Sequence, residues 1–324
     1  MSFARGSCVL ACCIGGAMAW SPACAQQYPA KAIRIVVAYS PGGGTDVLAR
    51  VLGRKLTDSW GQPVVVDNRV GAGGIVGTEV VAKSLPDGYT LLNIPSTHAI
   101  NPGLFRKLPY DSIRDFTTIG LIATSANVLV VHPSLPVKST RELIALAKKR
   151  PGDLTFASAG VGSTTHLAGE YFRSMAKIAA LHVPYKGSGQ AEIDLAMGQV
   201  QYMVDSTPAA LPNIKAGRTR PLATTGKERF SLLPDLPTVA ESGLPGYESI
   251  SWWGIVGPAG VPAPLVERLN REITRIVSLP DVKELMRGLG ADSLTSTPQR
   301  FLEFIREETD LYGRIIREAG IKVE

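Results

Sequence analysis

Apolar and polar positions along the chain repeat with two different periods. Short apolar runs are typical of buried strands, and amphipathic stretches with helical spacing follow most of them. The Pro86-Asp87-Gly88 and Pro151-Gly152-Asp153 turns separate successive units. Strands are predicted over Ala32–Tyr39, Pro63–Asp67, Tyr89–Ile94, Leu121–His132, Leu154–Ser158, Ala180–Val183, Val200–Asp205, Arg220–Thr225 and Ile250–Val256. Helices are predicted over Ser139–Lys149, Thr164–Met175, Gln190–Met197, Leu265–Ser278, Val282–Leu289 and Pro298–Ala319. A first helix has its apolar face at Val47, Leu48, Val51, Leu52 and Leu56, another contains Thr78–Ser84, and Pro208 fits the first turn of a further helix.

The alternation of strand, turn and helix predicts an α/β fold with a mainly parallel sheet. The pattern begins again at Leu154, and the run from Leu121 to His132 is interrupted by polar residues 124–127. A late apolar run over Ile250–Val256 predicts a strand that returns to the first unit. We therefore expect two lobes with a cleft, lobe 1 being 28–126 plus 250–324 and lobe 2 being 127–249.

Residues 1–25 have the pattern of a secretory signal peptide rather than of a folded element. Arg5 precedes an apolar, small-residue segment over Cys8–Trp20, and Ala23-Cys24-Ala25 fits a cleavage site. The apolar segment is too short for an ordinary membrane span, although an uncleaved anchor is the alternative. The prediction is cleavage after Ala25 and export to a bacterial-type periplasm.

Composition limits the size of the domains, the reactive groups available and the ligands that the net charge favours. The chain has 324 residues, of which 45% are hydrophobic, so one large or two medium domains can be built. All four cysteines lie in the predicted leader, so the mature chain offers no disulfide, thiolate nucleophile or cysteine metal site. The leader holds one of the 34 Lys and Arg, which leaves 33 against 28 Asp and Glu, a net +5. This dispersed charge suits small anions and does not indicate nucleic acid.

Three strand-to-helix turns combine glycine with hydroxyl residues. They span Ser40–Asp46, Ser158–His166 and Pro184–Gly189. The first N–H groups of a helix have no partner within it, and the helix dipole favours negative charge there. Glycine allows a ligand to approach the backbone, so each turn is a candidate site for a carboxylate, phosphate or sulfate. The alternative is that the glycines only make tight turns, with Thr45 as a helix cap.

A fourth glycine-rich stretch, Val70–Gly77, has the spacing G-x-G-G-x-x-G. A dinucleotide site would require an acid at the end of the next strand, whereas Asp87 lies in a Pro-Asp-Gly turn. We interpret this stretch as another tight turn that could line the cleft, and we expect no cofactor.

Catalytic motifs are not evident. The chain has no G-x-S-x-G and no H-E-x-x-H, and its four histidines are scattered. Lys186, Asp46 and Asp205 are the charged residues nearest the predicted cleft. His166 precedes Glu170 by four residues, which favours a simple contact on one helix face. One of the adjacent Trp252 and Trp253 is expected in the core, and the other could wall the cleft or the hinge.

Five stretches of the sequence resemble the Bug family of periplasmic solute-binding proteins, which are the TctC-type receptors of tripartite tricarboxylate transporters. The stretches that carry the resemblance are YPAKAIRIVVAYSPGGGTDVLAR, VVVDNRVGAGGIVGTEVVAKSLPDGYTLL, SAGVGSTTHLAGEYF, VPYKGSGQA and ESGLPGYESISWWGIVGPAGVP. Together they cover roughly 28–320. The resemblance implies a two-lobe periplasmic-binding-protein fold hinged by two crossing strands, and a small carboxylate ligand held partly through ordered water.

The resemblance also implies which residues line the cleft, with Tyr39, Ala159, Val161 and Asp205 as candidates for specificity. The implied ligand-binding residues are Tyr39, Ser40, Gly42, Gly43, Gly44, Thr45, Asp46, Ser96, Thr97, Ser158, Ala159, Gly160, Val161, Gly162, Ser163, Thr164, Thr165, Tyr185, Lys186, Gly187 and Asp205.

These observations predict a non-enzymatic, monomeric receptor that closes on a di- or tricarboxylate, an acidic amino acid or an aromatic acid. It would deliver the ligand to the membrane subunits of a tripartite tricarboxylate-type transporter, or to a sensor. Two alternatives stay open: an exported isomerase or lyase that uses Asp205 and His166, and a structural interaction protein without a small ligand.

Overall fold

A computed structural model of the chain describes residues 28–39, 41–42, 44–185 and 187–321. The predicted leader, its cysteines and the cleavage site after Ala25 therefore lie outside the described residues. The same is true of Ser40, Gly43 and Lys186 among the predicted site residues.

The described residues form ten strands and ten α-helices. The strands are β1 (Ile33–Val37), β2 (Val64–Asn68), β3 (Thr90–Pro95), β4 (Phe116–Val131), β5 (Leu154–Ser158), β6 (Ala180–Pro184), β7 (Tyr202–Ser206), β8 (Arg220–Thr224), β9 (Ile250–Pro258) and β10 (Asp292–Ser293). The helices are α1 (Gly44–Trp60), α2 (Ile75–Ala82), α3 (Thr97–Leu104), α4 (Thr140–Lys149), α5 (Thr164–Ala176), α6 (Ser188–Ala196), α7 (Thr207–Lys215), α8 (Ala263–Val277), α9 (Pro280–Gly288) and α10 (Pro298–Glu318).

The strands pair in two parallel groups that are joined by two long strands. Their order is β2-β1-β3-β9-β4-β7-β5-β6, with β8 and β10 also paired to β4. β1 is parallel to β2 and β3, and β5 is parallel to β6 and β7. β9 is antiparallel to β3 and β4, while β4 is antiparallel to β7. This pairing confirms the predicted two-lobe α/β fold with crossing strands.

β4 belongs to both groups. Residues 116–126 pair with β9, and residues 127–131 pair with β7. Separate apolar clusters lie on the two parts of the chain, one centred on β1, α1 and α8 and another on β5, α5 and β7. The residue limits assigned to the lobes from the sequence stay a prediction.

The predicted interruption of the long strand is wrong. β4 runs without a break for 16 residues, and Ser125 and Asn127 within it are each 1% exposed. Their side chains donate hydrogen bonds to the carbonyl oxygens of Gly290 and Ser249, at 2.7 and 3.2 Å. Since distant backbone groups satisfy these side chains, polar residues can occupy the middle of a buried strand.

The sequence pattern does not predict helix α3. This helix contains Asn101 and Pro102, which are poor signals for a helix interior. It packs against α10, and Ala99, Ile100 and Leu104 are buried in the cluster that also contains residues of α10. Tertiary packing outweighs local propensity here.

Candidate functional site

The predicted turns lie where parallel strands end. The first follows β1, and Ser96 and Thr97 follow the adjacent strand β3. In the second group, Ser158 ends β5 and is paired with Pro184 at the end of β6. Ligands of open α/β sheets bind beyond the carboxyl ends of the strands, so these edges are the candidate site.

Asp46 organises the first turn. It is 2% exposed, and its carboxylate accepts hydrogen bonds from the Gly42 N–H at 2.9 Å, from Arg50 Nε at 2.8 Å and from Asn68 Nδ2 at 2.9 Å. Burial alone would raise the pKa of Asp46, but the hydrogen bonds from Arg50, Gly42 and Asn68 outweigh it and lower the pKa. Asn68 also donates to the Tyr39 carbonyl at 2.9 Å, so it ties β2 to the turn. Asn68 was not among the predicted site residues.

Tyr39 connects the first turn with two others. Its hydroxyl is hydrogen-bonded to Thr97 Oγ1 and donates to the Gly73 carbonyl at 3.3 Å. Gly74 has φ +94°, and a Cβ there would lie 2.7 Å from the Tyr39 hydroxyl. Burial raises the pKa of Tyr39 to about 12, so the phenol keeps its proton. The glycine-rich stretch after β2 is therefore a turn packed against Tyr39.

Two hydroxyls predicted to face a ligand are engaged by β9. Trp253 Nε1 donates to Thr45 Oγ1 at 3.0 Å, and the Trp252 N–H donates to Ser96 Oγ at 2.8 Å. Trp252 is fully buried, whereas Trp253 stands beside the first turn, where a Cβ on Gly44 would lie 3.5 Å from its ring. Trp252 is therefore the tryptophan expected in the core, and Trp253 is placed where it could wall the cleft.

Hydroxyl groups also close the second turn on itself. Ser163 caps α5 by accepting from the His166 N–H at 3.2 Å, and it donates to the Gly160 carbonyl at 2.7 Å. Thr165 Oγ1 accepts from the Ala159 N–H at 2.9 Å. Val161 stands at the tip of the turn and is 52% exposed. The turn thus presents backbone and Val161 outward while most of its hydroxyls hold its shape.

Two stacked imidazoles lie behind this turn. The rings of His166 and His182 are 3.9 Å apart and nearly parallel. Burial, with smaller effects of His182 and Arg173, lowers the pKa of His166 to about 3, so its neutral ring accepts from the Gly162 N–H at 3.1 Å through Nδ1. His166 Nε2 is 3.8 Å from Glu170, which is the contact expected from their spacing. Ser158 Oγ is hydrogen-bonded to His182 Nε2 at 2.6 Å.

The third turn is bonded to the second and to Asp205. The Tyr185 N–H donates to the Ser158 carbonyl at 3.0 Å, and Ser188 Oγ donates to Asp205 Oδ1 at 2.7 Å. Gly187 has φ +125°, with open space where a side chain would begin. Asp205 is fully buried at the end of β7, so the structure places it beneath the turn rather than on its surface.

The predicted site residues therefore form two groups. One contains Tyr39, Gly42, Gly44, Thr45, Asp46, Ser96 and Thr97, and the other contains residues 158–165, Tyr185, Gly187 and Asp205. No hydrogen bond between described residues joins the two groups. Within the described part of the chain, no set of three or more His, Asp or Glu side chains is placed to hold a metal ion.

The fold is that of a two-lobe binding protein, and the similarity of the chain to known proteins shows its family. The family model described as "Tripartite tricarboxylate transporter family receptor" matches residues 48–321. The chain belongs to this family of periplasmic solute-binding receptors, which confirms the resemblance. None of the helices described is both long and apolar enough to cross a membrane.

Several relatives are similar over nearly their whole length. Protein BugT of Bordetella pertussis is 38% identical over 326 residues, covering 100% of both chains. The solved structure of Rpa4515 from R. palustris, with adipate, is 37% identical and covers 91% of this chain and 100% of that one, with a TM-score of 0.78. MatC from Rhodopseudomonas palustris, with bound malate, is 31% identical and covers 89% and 100%, with a TM-score of 0.73.

Proposed function

We propose that this protein is an exported receptor that captures a small carboxylate between its lobes and delivers it to a tripartite tricarboxylate-type transporter or to a sensor. The observation that carries the proposal is the placement of glycine-bearing turns at the carboxyl ends of β1, β5 and β6, each followed by a helix start. The adipate and malate in the similar structures support a ligand with two carboxylates.

Backbone N–H groups would provide most of the grip. Ser163 Oγ already donates to the Gly160 carbonyl, whereas Thr45 Oγ1 accepts from Trp253 Nε1 and keeps its own O–H as a donor that can supplement the backbone. The unpaired N–H groups at the starts of α1, α5 and α6 carry partial positive charge, worth about 0.3–1 kcal/mol per exposed anion contact and up to about 2 kcal/mol when partly buried. Ordered water can complete the contacts at a cost of about 0–2 kcal/mol for each molecule.

The side chains left to set specificity differ between the lobes. In the first group Tyr39 presents a phenol that burial keeps protonated. In the second, Val161 is the exposed apolar residue at the turn tip. A dicarboxylate with an apolar body, charged at both ends, fits this combination of helix starts and a valine.

The test is binding by purified protein 26–324, dialysed free of small molecules. We expect one or more of adipate, malate, tricarboxylates, acidic amino acids or aromatic acids to raise its melting temperature by several degrees, because a ligand at about 100 times its Kd adds about 2.7 kcal/mol. The dimethyl ester of an acid that binds is the matched control, since it keeps the carbon skeleton and lacks the charges.

A panel without any shift, for protein shown by mass spectrometry to carry no ligand, would contradict a carboxylate receptor. Conversion of a bound acid to another compound would favour the enzyme alternative instead.

A further inference from the structure

Two buried carboxyl groups lie beneath the third turn. Asp205 is 0% exposed and Glu192, on α6, is 3% exposed. Asp205 Oδ1 accepts from Ser188 Oγ at 2.7 Å and from the Ser206 N–H at 2.8 Å. Glu192 Oε2 accepts from Asn213 Nδ2 at 2.8 Å. Each group therefore has one oxygen with a donor.

The other two oxygens have none. Asp205 Oδ2 and Glu192 Oε1 are both buried without a hydrogen-bond donor among the described residues. Ser188, whose hydroxyl is bonded to Asp205, precedes Glu192 by four residues on α6, so both carboxyl groups lie against the same face of that helix, and the charge of Asp205 acts on Glu192. Two ionised carboxylates facing each other in a buried site are strongly unfavourable, whereas a single proton between them satisfies both oxygens.

No described cation offsets these charges. β4 and β5, which flank β7, contain no charged residue, and Val128 of β4 is paired with Asp205. α7 contributes the neutral Asn213, and the remaining acid of α6, Asp194, accepts from Tyr185 and Gln190. On α5, which also packs on β7, Arg173 and Glu170 pair with each other at 2.6 Å.

The hydrogen bonds indicate where the proton resides. Asp205 accepts from two donors and Glu192 from one, so the negative charge is better stabilised on Asp205. Burial is the largest influence on Glu192 and raises its pKa to about 7, with the charge of Asp205 adding to the effect. Burial also raises the pKa of Asp205, and the bonds from Ser188 and Ser206 act in the opposite direction.

We propose that Glu192 and Asp205 share one proton and that this bridged pair is the positioning element that holds the Gly187–Ser188 turn in its ligand-binding shape. The link to binding rests on the proposed carboxylate function, whereas the pair itself does not. Ser188 carries the connection, because its hydroxyl is bonded to Asp205 and it is the first residue of α6, the helix that contains Glu192.

The pH dependence follows with a definite sign. A carboxyl whose pKa is raised in the folded state stabilises the fold fully below its unfolded pKa, and that contribution is lost as pH rises through the folded pKa. For Glu192 the window runs from its ordinary pKa of 4.5 up to about 7. Above it the proton leaves to solvent, two charges face each other, and the turn loosens. If closure on a ligand needs the proton, affinity falls by up to about tenfold for each further pH unit.

The experiment uses the wild-type mature protein, Glu192→Gln and a matched control, Glu284→Gln, whose carboxylate is exposed on α9. The amide that replaces the Glu192 carboxyl can donate to Asp205 at every pH, which mimics the protonated pair. Nuclear magnetic resonance would follow the ¹³C signals of the side-chain carboxyl groups and the amide signal of Ser188. Calorimetry with adipate and with malate would run alongside, from about pH 6 to about pH 9.

We expect a carboxyl signal that titrates near pH 7 in the wild type and in Glu284→Gln, is lost in Glu192→Gln, and moves together with the Ser188 amide. Affinity should fall with pH in the first two proteins and stay level in Glu192→Gln. A Ser188 amide that does not follow the titration, or no carboxyl titration in this range, would overturn the proposal. If neither acid binds at any pH, the test speaks against dicarboxylate binding, while the Ser188 signal still decides the role of the pair.

Discussion

At the scale of single residues, many of the polar side chains around the candidate site hold the protein together rather than point at a ligand. Ser96, Thr45 and Ser163 illustrate this, because each hydroxyl has a partner on another part of the chain or in its own turn. Buried polar groups need such partners, since an unpaired one costs about 1–3 kcal/mol. Backbone N–H groups of the turns, together with a hydroxyl such as that of Thr45, which accepts from Trp253 and keeps its own O–H as a donor, are then left to meet the anion.

Asp46 gives the sharpest test at this scale. Asp46→Asn replaces one accepting oxygen by a donor that faces Gly42, Arg50 or Asn68. We expect the free energy of unfolding to fall by about 1–3 kcal/mol and carboxylate affinity to weaken, because the first turn loses its anchor. Urea unfolding and calorimetry measure the two effects.

The control for Asp46 lies on the same helix. Asp58→Asn changes an exposed carboxylate of α1 and should leave both quantities nearly unchanged. Because the pKa of Asp46 is lowered, its stabilisation is present above its unfolded pKa and is lost as pH falls through the folded value. The stability difference between the wild type and Asp46→Asn should therefore shrink in acid. A difference that persists unchanged in acid would show that the carboxylate charge does not matter.

At the scale of elements, the first turn of a helix at the candidate site must be capped for stability and must also leave N–H groups unpaired for an anion. α5 begins at a capped turn, where Ser163 satisfies the His166 N–H and the neutral His166 ring in turn accepts from Gly162. The same turn must leave other N–H groups unpaired if it is to hold an anion. The need for a rigid cap and for unpaired N–H groups within a few residues explains why glycine and hydroxyl residues occur together in this stretch.

The cap of α5 can be tested by substitution. Ser163→Ala should lower the free energy of unfolding by about 0.5–2 kcal/mol, whereas Ser163→Thr retains a capping oxygen and should lose much less. Ser174→Ala, near the other end of α5 and exposed, is the control. Equal stability of Ser163→Ala and wild type in chemical denaturation would refute the capping role.

At the scale of the whole molecule, the two groups of parallel strands are connected through β4 and β9. The pairing of β4 with β9 contains two irregularities, between Thr118 and Gly120 and between Leu121 and Ala123. Such bulges bend a strand and increase its twist locally. Closure of the lobes on a ligand would require this strand pair to flex, which is hinge motion of the type seen in binding proteins.

Closure predicts a change in distance between the lobes. Residues 26–324 contain no cysteine, so in protein 26–324 spin labels can be placed at Val70→Cys and Ile193→Cys, which are 56% and 50% exposed in the wild type. We expect a bound acid to shorten the distance measured by pulsed electron paramagnetic resonance. The pair Val70→Cys and Leu85→Cys lies within predicted lobe 1 and should not change. Unchanged distances in both pairs, with binding shown by calorimetry, would rule out closure.

The sequence by itself determined the fold class, most element positions and the location of the turns. Periodicity of apolar residues and glycine at strand ends are local signals, so the strand Leu154–Ser158 was predicted with its observed limits. Family membership followed from the same stretches. The uninterrupted β4 escaped prediction because its polar residues are bonded to distant carbonyl groups, and helix α3 because the packing of its apolar residues against α10 outweighs its local propensity.

Only the tertiary structure decided which polar side chains are available to a ligand. Thr45 and Asp205 both look like site residues from their positions, yet Thr45 accepts from Trp253, 208 residues away, and keeps its O–H as a donor, whereas the Asp205 carboxyl is buried under the third turn. The sequence did not mark Glu192 as a functional residue, because an acid on an amphipathic helix is usually exposed to solvent. Its significance arises when the packing of α6 on β7 removes water from two carboxyl groups at once, and no local pattern records that.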